Sequence, residues 1–99
     1  MSQVRRSIAR VATPDPSKLI RRLCTHWAHK FEVEFDERQG RIALPFGACL
    51  LRAGDGVLEV QLEADDAAQM PRFQDVVAEH ADRMARGADH QWQWDDVEA

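Results

Sequence analysis

The sequence predicts an α+β fold, in which two helices pack on one face of an antiparallel sheet in the order β-α-β-β-β-β-α-β. Residues 31–63 alternate between apolar and polar side chains, which indicates strands with one buried face. Residues 19–27 and 70–84 repeat apolar side chains at helical spacing. A run of strands flanked by amphipathic helices is typical of α+β domains.

Length and composition place the chain in the class of small globular proteins. The 99 residues are 44% hydrophobic and 30% charged, which fits a single domain over residues 1–99. A core of this size reaches ordinary stability without a disulfide, metal or cofactor, so we expect no cofactor. Two cysteines are too few for a disulfide scaffold, and residues 1–12 are too polar for a secretory signal. No apolar run approaches the roughly 20 residues of a membrane span. We therefore expect a cytoplasmic protein with reduced thiols and no membrane contact.

The first strand and the first helix have clear local signals. Residues 7–13 read as a short strand. Asp15 is placed to accept hydrogen bonds from the amides of a first helical turn, and Pro16 suits the first helical position because its missing N–H is not needed there. The apolar residues that follow form one stripe: Leu19, Ile20, Leu23, Cys24 and Trp27.

Residues 31–63 predict a four-stranded meander with all its apolar residues on one face. The first hairpin is expected to close with Asp36 opposite Arg41. Two-residue turns at Gly47–Ala48 and Gly54–Asp55 are expected to close the other two, because glycine in the first position suits the turns favoured by twisted strands. This register pairs Val33 with Leu44, Leu44 with Leu51, and Leu51 with Leu58.

The opposite face of this meander is mixed in character. It is either solvated or a contact between two copies of the chain, so a structural homodimer is one alternative. Its residues are Glu32, Glu34, Arg41, Ala43, Pro45, Leu50, Arg52, Val57, Glu59 and Gln61.

The second helix follows the meander. Asp66 and Gln69 resemble a capping box, while Pro71 requires the helix either to bend or to start later. The predicted stripe of this helix is Met70, Phe73, Val77 and Met84. A final strand is predicted to carry His90, Trp92 and Trp94 on one side.

Charge is unevenly distributed along the chain. Residues 1–30 carry seven basic side chains and one acidic, whereas residues 31–99 carry six basic and sixteen acidic. The cationic segment is either complementary to the anionic remainder or a site for an anionic ligand. Arg21 and Arg22 are expected to project away from the buried stripe. The candidate binding residues on this helix edge are Lys18, Arg21, Arg22, His26 and His29.

The histidines and cysteines allow two interpretations. His26 and His29 lie one helical turn apart and offer two ligands of a metal site that would need a third from elsewhere, or they simply flank the helix end. Cys24 and Cys49 are expected in the core, where a thiol is a poor nucleophile. His80 is either a core histidine hydrogen-bonded to a neighbour or the inner end of a pocket.

Sequence motifs for most other functions are missing. The sequence has no glycine-rich phosphate loop, no Gly-x-Ser-x-Gly elbow and no paired cysteine motif. It therefore favours a non-catalytic protein. Nucleic acid is disfavoured as a partner because the acidic remainder would repel phosphate.

Three stretches carry a resemblance to a known family. The segments "CTHWAHKFEVEFD" and "GRIALPFGAC", with the helix that carries His80 and Arg83, resemble the bacterial family called domain of unknown function 2218. Members of that family often lie beside siderophore and iron-uptake genes, sometimes joined to siderophore-interacting flavin reductases. The resemblance implies an accessory role in iron acquisition, and it carries over no catalytic residue.

Together these observations predict a binding or accessory module. The expected partner is an anionic small molecule such as a ferric siderophore, or a protein of the siderophore-reductase type, bound at the cationic helix edge. A histidine-based metal or redox protein is the alternative from another class.

Overall fold

The computed structural model describes residues 4–85 and 92–98. The chain order of its elements confirms the predicted one. The elements are β1 (Val4–Ala12), α1 (Pro16–Trp27), β2 (Val33–Phe35), β3 (Gln39–Leu44), β4 (Gly47–Ala53), β5 (Val57–Ala64), a 3₁₀ turn (Ala67–Gln69), α2 (Met70–Met84) and β6 (Asp95–Glu98).

The strands form one antiparallel sheet in the order β2-β3-β4-β5-β1-β6. The first strand therefore lies between β5 and β6. Both helices cover the same face, where their stripes and the inward side chains of the sheet form one core. The predicted α+β fold is confirmed. In the part of the chain that the structure describes, no helix has the length and apolar character needed to cross a membrane.

Helix α1 begins and packs as its sequence predicts. The carboxylate of Asp15 accepts a hydrogen bond from the Lys18 amide at 3.1 Å, and Pro16 opens the helix. The helix closes when the Ala28 amide donates to the Cys24 carbonyl oxygen at 2.9 Å. Its buried side chains include all five residues of the predicted stripe. That stripe fixes which face of α1 is left for solvent.

The three hairpins keep the predicted faces but not the predicted register. Val33 lies opposite Ile42 rather than Leu44, Leu44 opposite Gly47 rather than Leu51, and Leu51 opposite Val60 rather than Leu58. Each shift is an even number of residues, so the same side chains still point to the core. The alternation alone could not distinguish these registers.

The second turn lies two residues earlier than predicted, and Gly47 packs against β5. The turn is Pro45–Phe46, and Gly47 is already the first residue of β4. Gly47 has a φ of 143°, and a Cβ at this position would collide with the main-chain oxygen of Glu63 on β5. This glycine is therefore required both by its positive φ and by the close approach of β5.

The other two turns are set by local hydrogen bonds. The Asp36 carboxylate accepts from the amides of Arg38 and Gln39 at 2.8 and 2.9 Å, which closes the first hairpin two residues earlier than expected. These two hydrogen bonds hold the pKa of Asp36 below its usual range. In the third turn Gly56 has a φ of 69° and takes the left-handed conformation, so the turn residues are Asp55–Gly56.

The sequence left open whether the second helix bends at Pro71 or starts later than Asp66. The structure shows the later start. Asp66 caps the 3₁₀ turn by accepting from the Ala68 amide at 3.0 Å, and α2 then begins at Met70. The capping box does not form, because Gln69 makes no side-chain capping bond. Its buried residues are Met70, Phe73, Val77 and Ala81, while Met84 only flanks the core.

The predicted final strand lies slightly later in the chain. Trp92 and Trp94 precede β6 and stack on each other, with ring centroids 5.4 Å apart. Trp92 also donates from its indole nitrogen to the Asp82 carboxylate at 3.0 Å. His90 lies outside the described residues.

Candidate functional site

The exposed face of α1 carries the candidate cationic side chains. Lys18, Arg21 and His26 are exposed, and Arg22 is half-buried. At 100° per residue these four positions fall within an arc of about 140°, opposite the buried stripe. His29 is exposed just beyond the helix end. The structure thus places the four helical residues on one face of α1, and His29 follows the end of that helix.

The basic side chains of this face have no carboxylate partner in residues 4–85 and 92–98. The ion pairs found there join Arg6 to Glu63 at 3.7 Å and Arg10 to Glu59 at 3.3 Å, both on the sheet. The stretch between Asp15 and Glu32 contains no acidic residue. The exposed face of α1 is therefore a positive surface within an acidic chain.

The sequence predicts that Arg22 projects away from the buried stripe of α1. The structure shows that its side chain instead contacts α2. Its Nη1 donates a hydrogen bond to the main-chain carbonyl oxygen of Met84 at 3.0 Å. That carbonyl belongs to the last turn of α2, whose terminal carbonyls have no partner within the helix. Arg22 thus holds α1 against α2, and its position explains why it is half-buried.

The rings of His26, Trp27 and His80 lie close together in the structure. The ring centroids are 5.7 Å apart for His26 and His80, and 4.9 Å apart for Trp27 and His80. His80 is half-buried and donates from Nδ1 to the Val76 carbonyl oxygen at 2.7 Å. This bond leaves Nε2 as the second polar atom of the ring. The sequence did not reveal this cluster because its members lie on different helices.

The histidine-based metal alternative requires a third ligand close to His26 and His29. Among the described residues, no group of three or more histidine, cysteine, aspartate or glutamate side chains is placed to hold a metal ion. His26 and His29 therefore have no third ligand from the described residues.

The two thiols lie in the core, as the sequence predicts. Cys24 and Cys49 are both free and buried. Burial raises the pKa of Cys24 to about 11. Burial also raises the pKa of Cys49, with a further contribution from the nearby Cys24. Neither thiol is activated for nucleophilic chemistry, because the reactive form is the thiolate.

Sequence reasoning missed a groove on the other face of the sheet. It crosses β2 to β5, has a volume of about 620 Å³, and includes Phe35, Arg41, Leu50 and Arg52 among its lining residues. Phe35 was expected to be buried but is 44% exposed, because β2 is a short strand at the sheet edge. The alternation had assigned Arg41, Leu50 and Arg52 to this face, but only the register shows how they are neighbours.

Comparison with known proteins identifies a matching family and a similar solved structure. The model of a family described as "Uncharacterized protein conserved in bacteria (DUF2218)" matches residues 8–95. The NMR structure of PA4090 from Pseudomonas aeruginosa is 34% identical and has a TM-score of 0.76, and the similarity covers 92% of this chain and 95% of that one. No curated protein matches significantly. The matched residues extend from β1 into β6 and include both helices.

Proposed function

Since the chain belongs to the bacterial family DUF2218, we propose that it is a non-catalytic module that binds an anionic ligand or partner through α1. The proposed site consists of Lys18, Arg21, Arg22, His26 and His29. The observation that carries this proposal is the exposed basic face of α1, which has no carboxylate partner among the described residues. Unpaired surface cations attract anions and raise their rate of association.

The site residues divide into two roles. Lys18 and Arg21 are exposed and free to contact a ligand, so they supply the binding charge. Arg22 is a positioning residue, because its hydrogen bond to Met84 holds α1 on α2. A ligand would therefore meet a surface that is already ordered, which lowers the entropic cost of binding.

The class of ligand follows from the family resemblance. The resemblance implies an association with siderophore and iron-uptake genes, which supports a ferric siderophore, or the acidic face of a siderophore-reductase-type protein, as the proposed partner. Ferric complexes of catecholate siderophores are anions, and they match the charge of the α1 face. On this proposal the module serves iron acquisition as an accessory component.

A titration with a trianionic tris-catecholate complex of gallium(III) tests the proposal, since gallium replaces ferric iron without broadening NMR signals. We expect saturable shifts of the α1 amides. The double variant Lys18→Gln/Arg21→Gln should bind at least about tenfold more weakly, and affinity should fall as salt screens the charges. Arg72→Gln, an exposed arginine on α2, is the matched control.

Two outcomes would contradict the proposal. Equal affinity of the double variant and the parent would remove the site from α1, as would shifts confined to the sheet. If the complex does not bind, the same variants are tested against a purified siderophore-interacting reductase. If the reductase binds the parent but not the double variant, the partner is a protein. If neither the gallium complex nor the reductase binds, the proposal is wrong.

A further inference from the structure

The outer face of the sheet, which faces away from both helices, carries rows of side chains that run across neighbouring strands. The strand registers define three such rows. They are Arg10, Glu59, Arg52 and Gln39; then Ile8, Gln61, Leu50, Arg41 and Glu34; and then Arg6, Glu63, Ala48 and Ala43.

Most charges in these rows already have a partner. Glu59 lies between Arg10 and Arg52, and it pairs with Arg10 at 3.3 Å. Arg6 pairs with Glu63. Within the described ranges, Arg52 and Arg41 have no carboxylate at ion-pair distance. Two guanidinium groups on this face are thus left without a partner there.

These two arginines are diagonal neighbours. Arg41 lies opposite Leu50, and Arg52 follows Leu50 by two residues on the same strand. Diagonal neighbours on adjacent strands lie roughly 7–8 Å apart, which long side chains span easily. Both line the groove of about 620 Å³, a volume typical of small-molecule sites.

The groove also offers apolar contact. Leu50 lies between the two arginines and is half-buried. Phe35 borders the groove only at the sheet edge, because its Cβ lies beside Gly40 on the helix side of the sheet.

Of the three carboxylates that line the groove, Asp36 accepts hydrogen bonds from two turn amides and Glu59 binds Arg10. The third, Glu34, lies directly opposite Arg41 on the edge strand β2, and no ion pair joins the two side chains. The groove thus combines two arginines that have no ion-pair partner among the described residues with the apolar side chain of Leu50.

We infer that this groove binds a small organic carboxylate with an apolar body. The carboxylate is held by the guanidinium groups of Arg41 and Arg52, whose planar donors suit that shape. The apolar body lies on Leu50. This site is independent of the proposed α1 site, because it lies on the sheet face that the helices leave open.

An NMR titration with sodium benzoate tests the inference, with benzamide as the uncharged control of the same shape. We expect saturable shifts of β3 and β4 amides around Arg41 and Arg52 with benzoate, and much weaker effects with benzamide. Arg41→Gln and Arg52→Gln should each lower the affinity for benzoate at least about tenfold, because each removes one charge-assisted hydrogen bond. Glu34→Gln should raise the affinity for benzoate about two- to threefold, because it removes a negative charge that repels the benzoate carboxylate.

Two control variants separate this site from other cationic surfaces. Arg72 and Arg83 on α2 are both exposed, and Arg72→Gln and Arg83→Gln should leave benzoate affinity unchanged. Loss of benzoate binding in either control variant would overturn the inference, as would equal binding of benzoate and benzamide. Sedimentation equilibrium adds a further test. If the parent is a dimer and Leu50→Glu converts it to a monomer, the groove is a contact between two copies of the chain. That outcome would overturn the small-molecule site.

Discussion

Nη1 of Arg22 donates a hydrogen bond to the main-chain carbonyl oxygen of Met84 across 3.0 Å, although 62 positions separate the two residues in the chain. The bond ties the middle of α1 to the last turn of α2. It satisfies a helix-terminal carbonyl and places a cation at the negative end of the α2 dipole. The contact between the helices therefore depends on a residue that composition alone would assign to solvent.

Replacing Arg22 by Ala is expected to lower the free energy of unfolding by about 1–2 kcal/mol, because the half-buried carbonyl of Met84 loses its partner. Arg21→Ala is the matched control, since Arg21 is exposed and one position away. Urea melts of both variants make the comparison. Equal stability of the two would show that the Arg22 hydrogen bond is absent in solution.

Replacing Leu58 by Ala is expected to cost about 2–4 kcal/mol, because its side chain is buried in the centre of the core. Leu50→Ala should cost clearly less in a monomer, since Leu50 is half-buried on the outer face. Chemical denaturation of both variants measures the difference. A similar loss at Leu50 would reveal that the outer face is covered in solution.

Replacing Gly40 by Ala should destabilise the protein by about 1–3 kcal/mol through overpacking. A Cβ at this position would lie 2.8 Å from the Sγ of Cys24 and 3.3 Å from Cγ2 of Ile20. Cys24→Ala removes the closer atom, so the penalty of Gly40→Ala should shrink in that background. A double-mutant cycle measures this coupling.

Gly54→Ala is the control for that cycle. The nearest atom to a Cβ at position 54 is 3.5 Å away, an ordinary contact distance. Its effect should be small and unchanged by Cys24→Ala. Strictly additive effects of Gly40→Ala and Cys24→Ala would contradict the packing described for β3 against α1.

The buried thiols predict a loss of stability at alkaline pH. The folded state raises the pKa of Cys24 from about 9 to about 11, so between these values the unfolded chain releases a proton that the folded chain keeps. The free energy of unfolding should therefore fall as pH rises through this range, by at most about 1.4 kcal/mol per pH unit for each thiol. Below about pH 8 the thiols should contribute no pH dependence.

Urea melts at about pH 8 and about pH 10 test this slope against the double variant Cys24→Ala/Cys49→Ala. The variant should lose less stability than the parent over that interval. Thiol labelling of the parent should be slow until the chain is denatured. Rapid labelling of the native protein would show that the thiols are accessible.

Zinc is expected to leave the melting temperature of the parent unchanged, because residues 4–85 and 92–98 supply no three-ligand group. The double variant His26→Ala/His29→Ala should melt within a few degrees of the parent and respond to zinc in the same way. Thermal scans with and without the metal provide the measurement. A zinc-dependent rise that disappears in the variant would favour the metal-binding alternative.

The sequence by itself determined which side chains face the core. Cys49, Leu58 and the α1 stripe were assigned correctly, because the periods of strands and helices are local properties of the backbone. The Asp15 cap of α1 is local for the same reason, since donor and acceptor lie three residues apart. The exposed cations of α1 follow directly from its buried stripe.

Only the tertiary structure decided the hairpin registers, because registers that differ by an even number of residues bury the same side chains. Gly47 resembled a turn residue but meets the main chain of Glu63 on another strand. The bond from Arg22 to Met84 and the diagonal placement of Arg41 and Arg52 beside the groove depend in the same way on contacts between different elements. Local periodicity therefore specifies faces, whereas neighbours within a face are set by contacts between elements that no local pattern encodes.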